Sequence, residues 1–203
     1  MKILYIHNTA IDSTKANLLQ VLAMCNSFSN NKVNLTLLLP NSAFEIKNIK
    51  EYVLKKYGVS INFNIIFFQR NFLHSSIDKY LVNRKVRSII KTCDADYIFS
   101  RMPLFILASL KENKKVIYES HSNKLHNKYR FIDSIWRSLI VSKSKNKNFK
   151  LFITISNNLL KFWELQGVSD KKLLALHDGA HLEDYKIHED KKTIREVLGL
   201  PIN

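Results

Sequence analysis

Near its amino terminus the sequence reads Lys2-Ile3-Leu4-Tyr5-Ile6-His7, a short apolar run typical of a buried strand. Residues 14–28 follow it, and their apolar side chains recur at the spacing of one helical face: Leu18, Leu22, Cys25 and Phe28. A strand followed by a helix is the basic unit of a parallel sheet that is covered by helices. The fold class then depends on whether this unit repeats.

The unit repeats along the chain. Apolar runs predict further strands at residues 33–39, 61–68, 97–99, 115–118, 151–155 and 173–176. Helical spacing predicts helices at residues 46–57, 77–90, 103–110 and 125–141, and another between the capping Ser156 and Gly167. The predicted fold class is α/β, a Rossmann-like, doubly wound and mostly parallel sheet of about seven strands. Ligands of such sheets bind beyond the carboxyl ends of the strands, so the loops there are the candidate sites.

Composition narrows the class of protein. The formal net charge is +15, which attracts phosphates, anionic lipid headgroups or acidic substrates. A composition rich in Lys, Asn and Ile produces the same charge without any function, so both interpretations stay open. No apolar run approaches the roughly 20 residues of a membrane span, and the only two cysteines lie in apolar-periodic stretches. We therefore expect a cytoplasmic protein with neither a disulfide framework nor a thiolate metal site.

The loop after the first predicted strand, residues 8–17, carries no glycine. This excludes both a dinucleotide-binding G-x-G-x-x-G turn and a phosphate-binding P-loop. The loop is instead rich in hydrogen-bonding side chains that suit a hydroxyl or a phosphate, namely Asn8, Ser13, Lys15 and Asn17. The alternative for Ser13 is an ordinary helix cap.

A carboxylate and an imidazole lie two residues apart where the fifth predicted strand ends, at Glu119 and His121. An imidazole at that place can donate to a substrate hydroxyl or to a developing charge, and a buried carboxylate nearby would orient it. A structural histidine on a surface loop is the alternative. Arg101, at the end of the fourth strand, either pairs with Glu119, binds an anionic group through two donors, or is a plain surface residue.

The later loops carry weaker signals. Residues 177–188 contain several His, Asp and Glu side chains without helix-borne ligand spacing, and Asp178-Gly179 is typical of a tight turn, so no metal site is predicted. Residues 124–150 are predicted to pack their apolar side chains on the sheet, and docking on an anionic membrane as a basic amphipathic helix is the alternative. Those side chains are Tyr129, Phe131, Ile132, Ile135, Trp136, Leu139 and Ile140.

Taken in order, these loops resemble the amino-terminal, acceptor-side domain of glycosyltransferase family 4, whose members are retaining enzymes of the GT-B fold. The resemblance covers nearly the whole chain and rests on the order and spacing of short motifs. They are Ser13-Thr14-Lys15-Ala16-Asn17, Ser100-Arg101, Glu119-Ser120-His121 (the family's E-x-H), Ile153-Thr154-Ile155-Ser156 (its I-T-I-S), His177-Asp178-Gly179 with Asp184-Tyr185, and Leu198-Gly199-Leu200-Pro201, which is similar to its interdomain junction.

The resemblance implies transfer of a sugar from a nucleotide-sugar to an acceptor hydroxyl, with net retention at the anomeric carbon and without a metal ion or cofactor. His121 would be the catalytic residue beside the transferred sugar. Residues 8–17 would face the acceptor. The implied substrate-binding residues are Asn8, Ser13, Lys15, Asn17, Arg101, Glu119, Ser156, Asp178 and Gly179.

It further implies that residues 1–188 form the acceptor-side domain and that residues 189–203 begin the junction to a donor-binding domain. The expected setting is surface polysaccharide or glycolipid synthesis, in the cytoplasm or peripherally at the inner face of the membrane. The expected partners are a nucleotide-sugar donor and a sugar or lipid-linked acceptor, and no nucleic acid. Two alternatives remain, a non-catalytic basic module that binds anionic lipid or polyanion, and a nucleotide-sugar epimerase of the same topology.

Overall fold

The computed structural model describes residues 1–42, 45–69, 76–125, 130–177, 179 and 190–201, without the side chains of residues 76–82 and 130. Its seven strands are β1 (Lys2–Ile6), β2 (Asn34–Pro40), β3 (Asn64–Phe68), β4 (Tyr97–Ser100), β5 (Val116–Ser120), β6 (Phe149–Thr154) and β7 (Leu173–Ala175). Its α-helices are α1 (Ala16–Asn30), α2 (Ile49–Tyr57), α3 (Ser76–Thr92), α4 (Pro103–Lys111), α5 (Arg130–Ser144), α6 (Asn157–Leu165) and α7 (Lys191–Val197).

Every strand and helix predicted from the sequence is present, with ends that differ by a few residues. One further helix, α7, was not predicted. It lies in the segment that was assigned to an interdomain junction. Asp190 is its N-cap residue, and the side chain of Asp190 accepts hydrogen bonds from the backbone N–H groups of Lys192 and Thr193.

All strand pairs are parallel, and the order across the sheet is β3-β2-β1-β4-β5-β6-β7. The order reverses between β1 and β4, which makes their carboxyl ends the switch point where doubly wound sheets bind ligands. Ile6 of β1 lies opposite Ser100 of β4, and Ser100 lies opposite Tyr118 of β5. The next residues on these three neighbouring strands are therefore His7, Arg101 and Glu119.

Each face of the sheet is covered by its own apolar core. Side chains alternate along β1, so that Ile3 and Tyr5 join one core while Leu4 and Ile6 join the other. Helices α1 and α2 close the first core, and α4, α5 and α6 help to close the second. Burying one such aliphatic side chain contributes roughly 1.5–3 kcal/mol, so these cores fix the positions of the strand ends.

Two predicted helix boundaries are confirmed. Ser156 caps α6, because its hydroxyl accepts from the backbone N–H of Leu159 at 3.2 Å. Helix α2 ends at Gly58, which adopts φ +67°, a left-handed conformation that other residues adopt at a cost.

One packing prediction is wrong for part of α5. Phe131 and Ile135 are 77% and 50% exposed, whereas Ile140 is fully buried. At 3.6 residues per turn Phe131 lies about 180° around the helix from Ile140, so the two cannot pack on the same sheet. Apolar residues occur on both faces of this helix, and only one face meets the core. None of the helices in the described part of the chain is long and apolar enough to cross a membrane.

Candidate active site

Three polar side chains from neighbouring strand ends form one hydrogen-bonded array. The guanidinium of Arg101 donates to both carboxylate oxygens of Glu119, from Nε to Oε2 at 3.0 Å and from Nη2 to Oε1 at 3.1 Å. Glu119 Oε1 also lies 2.7 Å from Nε2 of His121. The parallel register brings together residues that are 18 positions apart, and the array lies at the carboxyl ends of β4 and β5, beside the switch point of the sheet.

Arg101 and Glu119 form a buried, bidentate ion pair, with only 8% and 6% of their side chains exposed. Burial acts to raise the pKa of Glu119, but the hydrogen bond to His121 and the positive charge of Arg101 outweigh it, and the pKa lies below its ordinary value. Glu119 is therefore a carboxylate at neutral pH. Of the roles expected for Arg101, pairing with Glu119 is confirmed.

His121 is the member of the array that a ligand can reach, since 29% of its side chain is exposed. A carboxylate is only an acceptor, so the contact with Glu119 requires the imidazole proton to be on Nε2. In the neutral ring Nδ1 then carries the lone pair. An oriented nitrogen lone pair on a partly exposed ring can accept a hydrogen bond or a proton from a hydroxyl.

Buried and partly buried hydrogen bonds hold the loop that carries His121. The hydroxyl of Ser120 donates to the carbonyl of Ser122 and accepts from Nε1 of Trp163 on α6, both at 3.0 Å. Farther along, the backbone N–H of Leu125 donates to Asp133 of α5 at 2.5 Å. The loop is thus tied to the two helices that follow it, which limits the movement of His121.

The first loop, residues 8–17 between β1 and α1, is held from the side by α2. The hydroxyl of Tyr57 bonds to the backbone carbonyls of Ile11 (2.8 Å) and Ser13, and Nζ of Lys56 donates to the carbonyl of Asp12. Each anchored group belongs to the main chain. The loop therefore has a defined course that is set by contacts with its main chain and not with its polar side chains.

The predicted loop residues differ in exposure. Lys15 and Asn17 are exposed, and Asn8 is half-buried. Lys15, and not Ser13, is the N-cap residue of α1, and it has no side-chain cap. The hydroxyl of Ser13 accepts from the backbone N–H of Lys15 at 3.2 Å, so the interpretation of Ser13 as the helix cap is wrong.

The remaining predicted residues are less informative. Ser156 has the structural role of capping α6. Gly179 has open space around it, and Asp178 lies outside the described residues, as do residues 181–188. Among the described residues no group of three or more His, Cys, Asp or Glu side chains is placed to hold a metal ion. The expectation that activity needs no metal stays a prediction.

Sequence reasoning missed His7, the first residue after β1. It is only 2% exposed, and neither ring nitrogen has a hydrogen-bond partner among the described residues. Burial, and next the charge of Arg101, lower the pKa of His7 to about 4, and Glu119, His121 and Lys15 also act on it. His7 is thus a neutral imidazole that lies between the array and the first loop. The position of His7 next to Arg101 on the neighbouring strand would have identified it, but that position follows only from the strand order.

His7 should make folding stability depend on pH. Its folded pKa is about 4 and its unfolded pKa about 6.5, so between these values the unfolded chain binds the extra proton and the folded state loses stability as pH falls. The loss from this residue is about 2 kcal/mol at pH 5. Urea unfolding of the wild type and of His7→Phe at pH 7 and pH 5 checks this, because the variant should lose less stability by that amount. Equal losses in both proteins would show that His7 is protonated in the fold or exposed.

Comparison with known proteins gives the fold but no sequence family. No protein-family model and no curated protein matches the chain. HepE from Anabaena, in complex with UDP and glucose, matches with a TM-score of 0.63 at 14% identity, over 98% of this chain and 50% of HepE. UDP-GlcNAc 2-epimerase from Neisseria meningitidis, bound to UDP-GlcNAc, matches with 0.62 at 10% identity, over 98% and 54%. MurG from Acinetobacter baumannii matches with 0.52 at 11% identity, over 92% and 48%.

The chain spans about half the length of these solved structures. At such low identity the likeness concerns the fold alone. The neighbours are GT-B proteins, and the predicted fold class is confirmed, since the chain is a Rossmann-like α/β domain with the architecture of one half of such a protein.

Proposed function

We propose that this chain is the acceptor-side domain of a retaining glycosyltransferase similar to family 4. It would transfer a sugar from a nucleotide-sugar to a hydroxyl of a surface polysaccharide or glycolipid precursor. The observation that carries the proposal is the Arg101–Glu119–His121 array beside the switch point of the sheet. Structural neighbours that hold UDP, glucose or UDP-GlcNAc support it.

His121 is the residue that acts on substrate in this proposal. Its Nδ1 accepts a hydrogen bond from a hydroxyl of the sugar or of the acceptor, and any positive charge that the ring gains is offset by Glu119. Arg101 keeps Glu119 charged and in place, and touches no substrate. The exposed Lys15 and Asn17, with Asn8, face the acceptor from the first loop. No metal ion takes part in the proposed reaction.

The proposed enzyme needs a second half that binds the donor. Its junction begins within residues 189–203, where the exposed Val197, Leu198 and Leu200 provide apolar surface for it. Residues 1–188 then supply one wall of the cleft. Half a cleft neither excludes water nor positions a donor, so the 203-residue chain alone is expected to be inactive.

A transfer assay tests this function. The chain alone and the chain joined to a donor-binding half are each incubated with a panel of nucleotide-sugars and acceptors. Acceptor-dependent release of the nucleotide from the joined protein, with none from the chain alone, is expected. Turnover by the chain alone would contradict the need for a second half, and epimerisation of the donor without an acceptor would favour the epimerase alternative.

A second candidate, binding to anionic lipid, is favoured by α5 and its neighbourhood. Phe131 and Ile135 lie one turn apart and are exposed. Residues 121–150 contain eight Lys and Arg against a single acidic residue, Asp133, which is buried and paired with Arg137. Exposed apolar side chains beside basic ones are typical of peripheral membrane surfaces. This surface suits a non-catalytic module, or a transferase located at the inner face of the membrane on a lipid-linked acceptor.

Vesicle binding tests the α5 surface. The double change Phe131→Ser and Ile135→Ser is expected to lower affinity for phosphatidylserine-containing vesicles at least tenfold, since each buried side chain contributes about 1.5 kcal/mol or more. Affinity should also fall steeply with salt. Leu54→Ser, which removes an exposed leucine from α2 on the other face of the sheet, is the matched control and should bind like the wild type.

The outcomes of the vesicle experiment separate the candidates. Salt-sensitive vesicle binding without any sugar-dependent activity in the joined protein favours the non-catalytic module. Vesicle binding together with transfer indicates a peripheral transferase. If the double variant binds as tightly as the wild type, α5 does not contact the lipid.

A further inference from the structure

Gln20 connects α1 to the array of Arg101, Glu119 and His121. It lies in the second turn of α1 and is half-buried, and its Oε1 accepts a hydrogen bond from Nη1 of Arg101 at 2.9 Å. A guanidinium has only donors, so the amide of Gln20 must present its oxygen to Arg101. This contact bridges 81 positions of sequence and joins helix α1 to β4.

The guanidinium is held on two sides. Its Nε and Nη2 face the carboxylate of Glu119, and Nη1 faces Gln20. Because the side chain of Arg101 is 8% exposed, water is a poor substitute for a lost partner. Without Gln20 the guanidinium would keep one edge on Glu119 and lose the contact that fixes its rotation about that edge.

The four side chains form a continuous chain of hydrogen bonds, from Gln20 through Arg101 and Glu119 to His121. We infer that Gln20 is a positioning residue, which fixes Arg101 and through it orients the imidazole of His121. It lies outside every set of residues selected from the sequence. Its catalytic meaning rests on the proposed function, but its structural role does not.

The same geometry links the first loop to His121. Helix α1 begins directly after this loop, and Gln20 is five residues from its N-cap, Lys15. The hydrogen bonds therefore run from the second turn of α1 through Gln20 and Arg101 to His121.

The test uses Gln20→Met in the 203-residue chain. NMR follows exchange with water of the Nε–H proton of Arg101 and the Nε2–H proton of His121, which are both slow when hydrogen-bonded. In Gln20→Met both are expected to exchange about tenfold faster, as the loss of a hydrogen bond to a charged group predicts. A purely structural role in helix packing would leave these two protons unchanged.

Three further variants complete the test. Gln20→Glu keeps an acceptor oxygen and should retain slow exchange, whereas Gln20→Leu should behave like Gln20→Met; all three substitutes favour helices. Ser27→Ala, which removes a hydroxyl bonded within α1 itself, is the control and should not change either proton. Unchanged exchange in both Gln20→Met and Gln20→Leu, or failure of Gln20→Glu to retain it, would overturn the inference.

Kinetics of the joined protein separate this inference from the proposed function. Gln20→Met should lower kcat about tenfold and leave KM for the donor unchanged, because Gln20 contacts no substrate. If the protons exchange faster while kcat is unchanged, Gln20 positions His121 as inferred, and His121 is not catalytic. That result would contradict the proposed function alone.

Discussion

His121→Ala is expected to lower the rate constant of sugar transfer by about 10²–10⁴-fold in a protein that joins this chain to a donor-binding half. The change removes Nδ1, which the proposed mechanism places on a substrate hydroxyl. Stability should change by less than about 1 kcal/mol, since His121 is partly exposed and Glu119 keeps Arg101 as its partner. Steady-state transfer kinetics and urea unfolding measure the two effects.

Two further variants identify which part of His121 matters. His121→Gln retains an N–H group able to reach Glu119 but has no basic nitrogen that can take up a proton, so it should be nearly as inactive as His121→Ala. Asn123→Ala changes an exposed residue of the same loop and should transfer sugar at the wild-type rate. Wild-type kinetics in His121→Ala would remove this residue from the site.

Arg101→Met is expected to destabilise the fold by about 3–5 kcal/mol at pH 7, since it leaves the charge of Glu119 buried without its main partner. Urea unfolding measures this loss. In the double variant Arg101→Met and Glu119→Met both charges are absent, and most of the stability should return. The exposed pair of Lys2 and Asp94 provides the control, and Lys2→Met should leave stability close to that of the wild type.

The pH dependence of the same pair has a definite sign. The folded pKa of Glu119 lies below its ordinary value of 4.5, so the pair contributes stability above that value and loses it as pH falls through the folded pKa. Arg101→Met should weaken this acid-dependent loss. A variant that is as stable as the wild type, with the same acid-dependent loss, would show that the two side chains are not paired in solution.

The strands were predictable because a buried parallel strand is a short apolar run in the sequence. Glu119 and His121 were predictable for a local reason, since they lie two residues apart at the end of such a run. The role of Arg101 stayed open among three alternatives, because its partner is 18 positions away. Only the strand order and register show that the two side chains meet.

The rest depended on contacts that leave no local pattern. Gln20 is one polar residue on an amphipathic helix, and its contact with Arg101 spans 81 positions. His7 looks like the polar end of a strand, and only the structure shows that its side chain is buried. Phe131 and Ile135 were assigned to the sheet because α5 has apolar residues on both faces, and periodicity does not tell which face is inside.

The anchoring of the first loop by α2 has an evolutionary consequence. Tyr57 and Lys56 hold the main-chain carbonyls of Ile11, Asp12 and Ser13, and every type of amino acid has such a carbonyl. Substitutions at the exposed positions of this loop, such as Lys15 and Asn17, can therefore change its surface chemistry while its course is preserved. Ile11 is the exception, since its side chain is buried in the core, so drift in this loop is confined to the exposed positions so long as Tyr57 and Lys56 are retained.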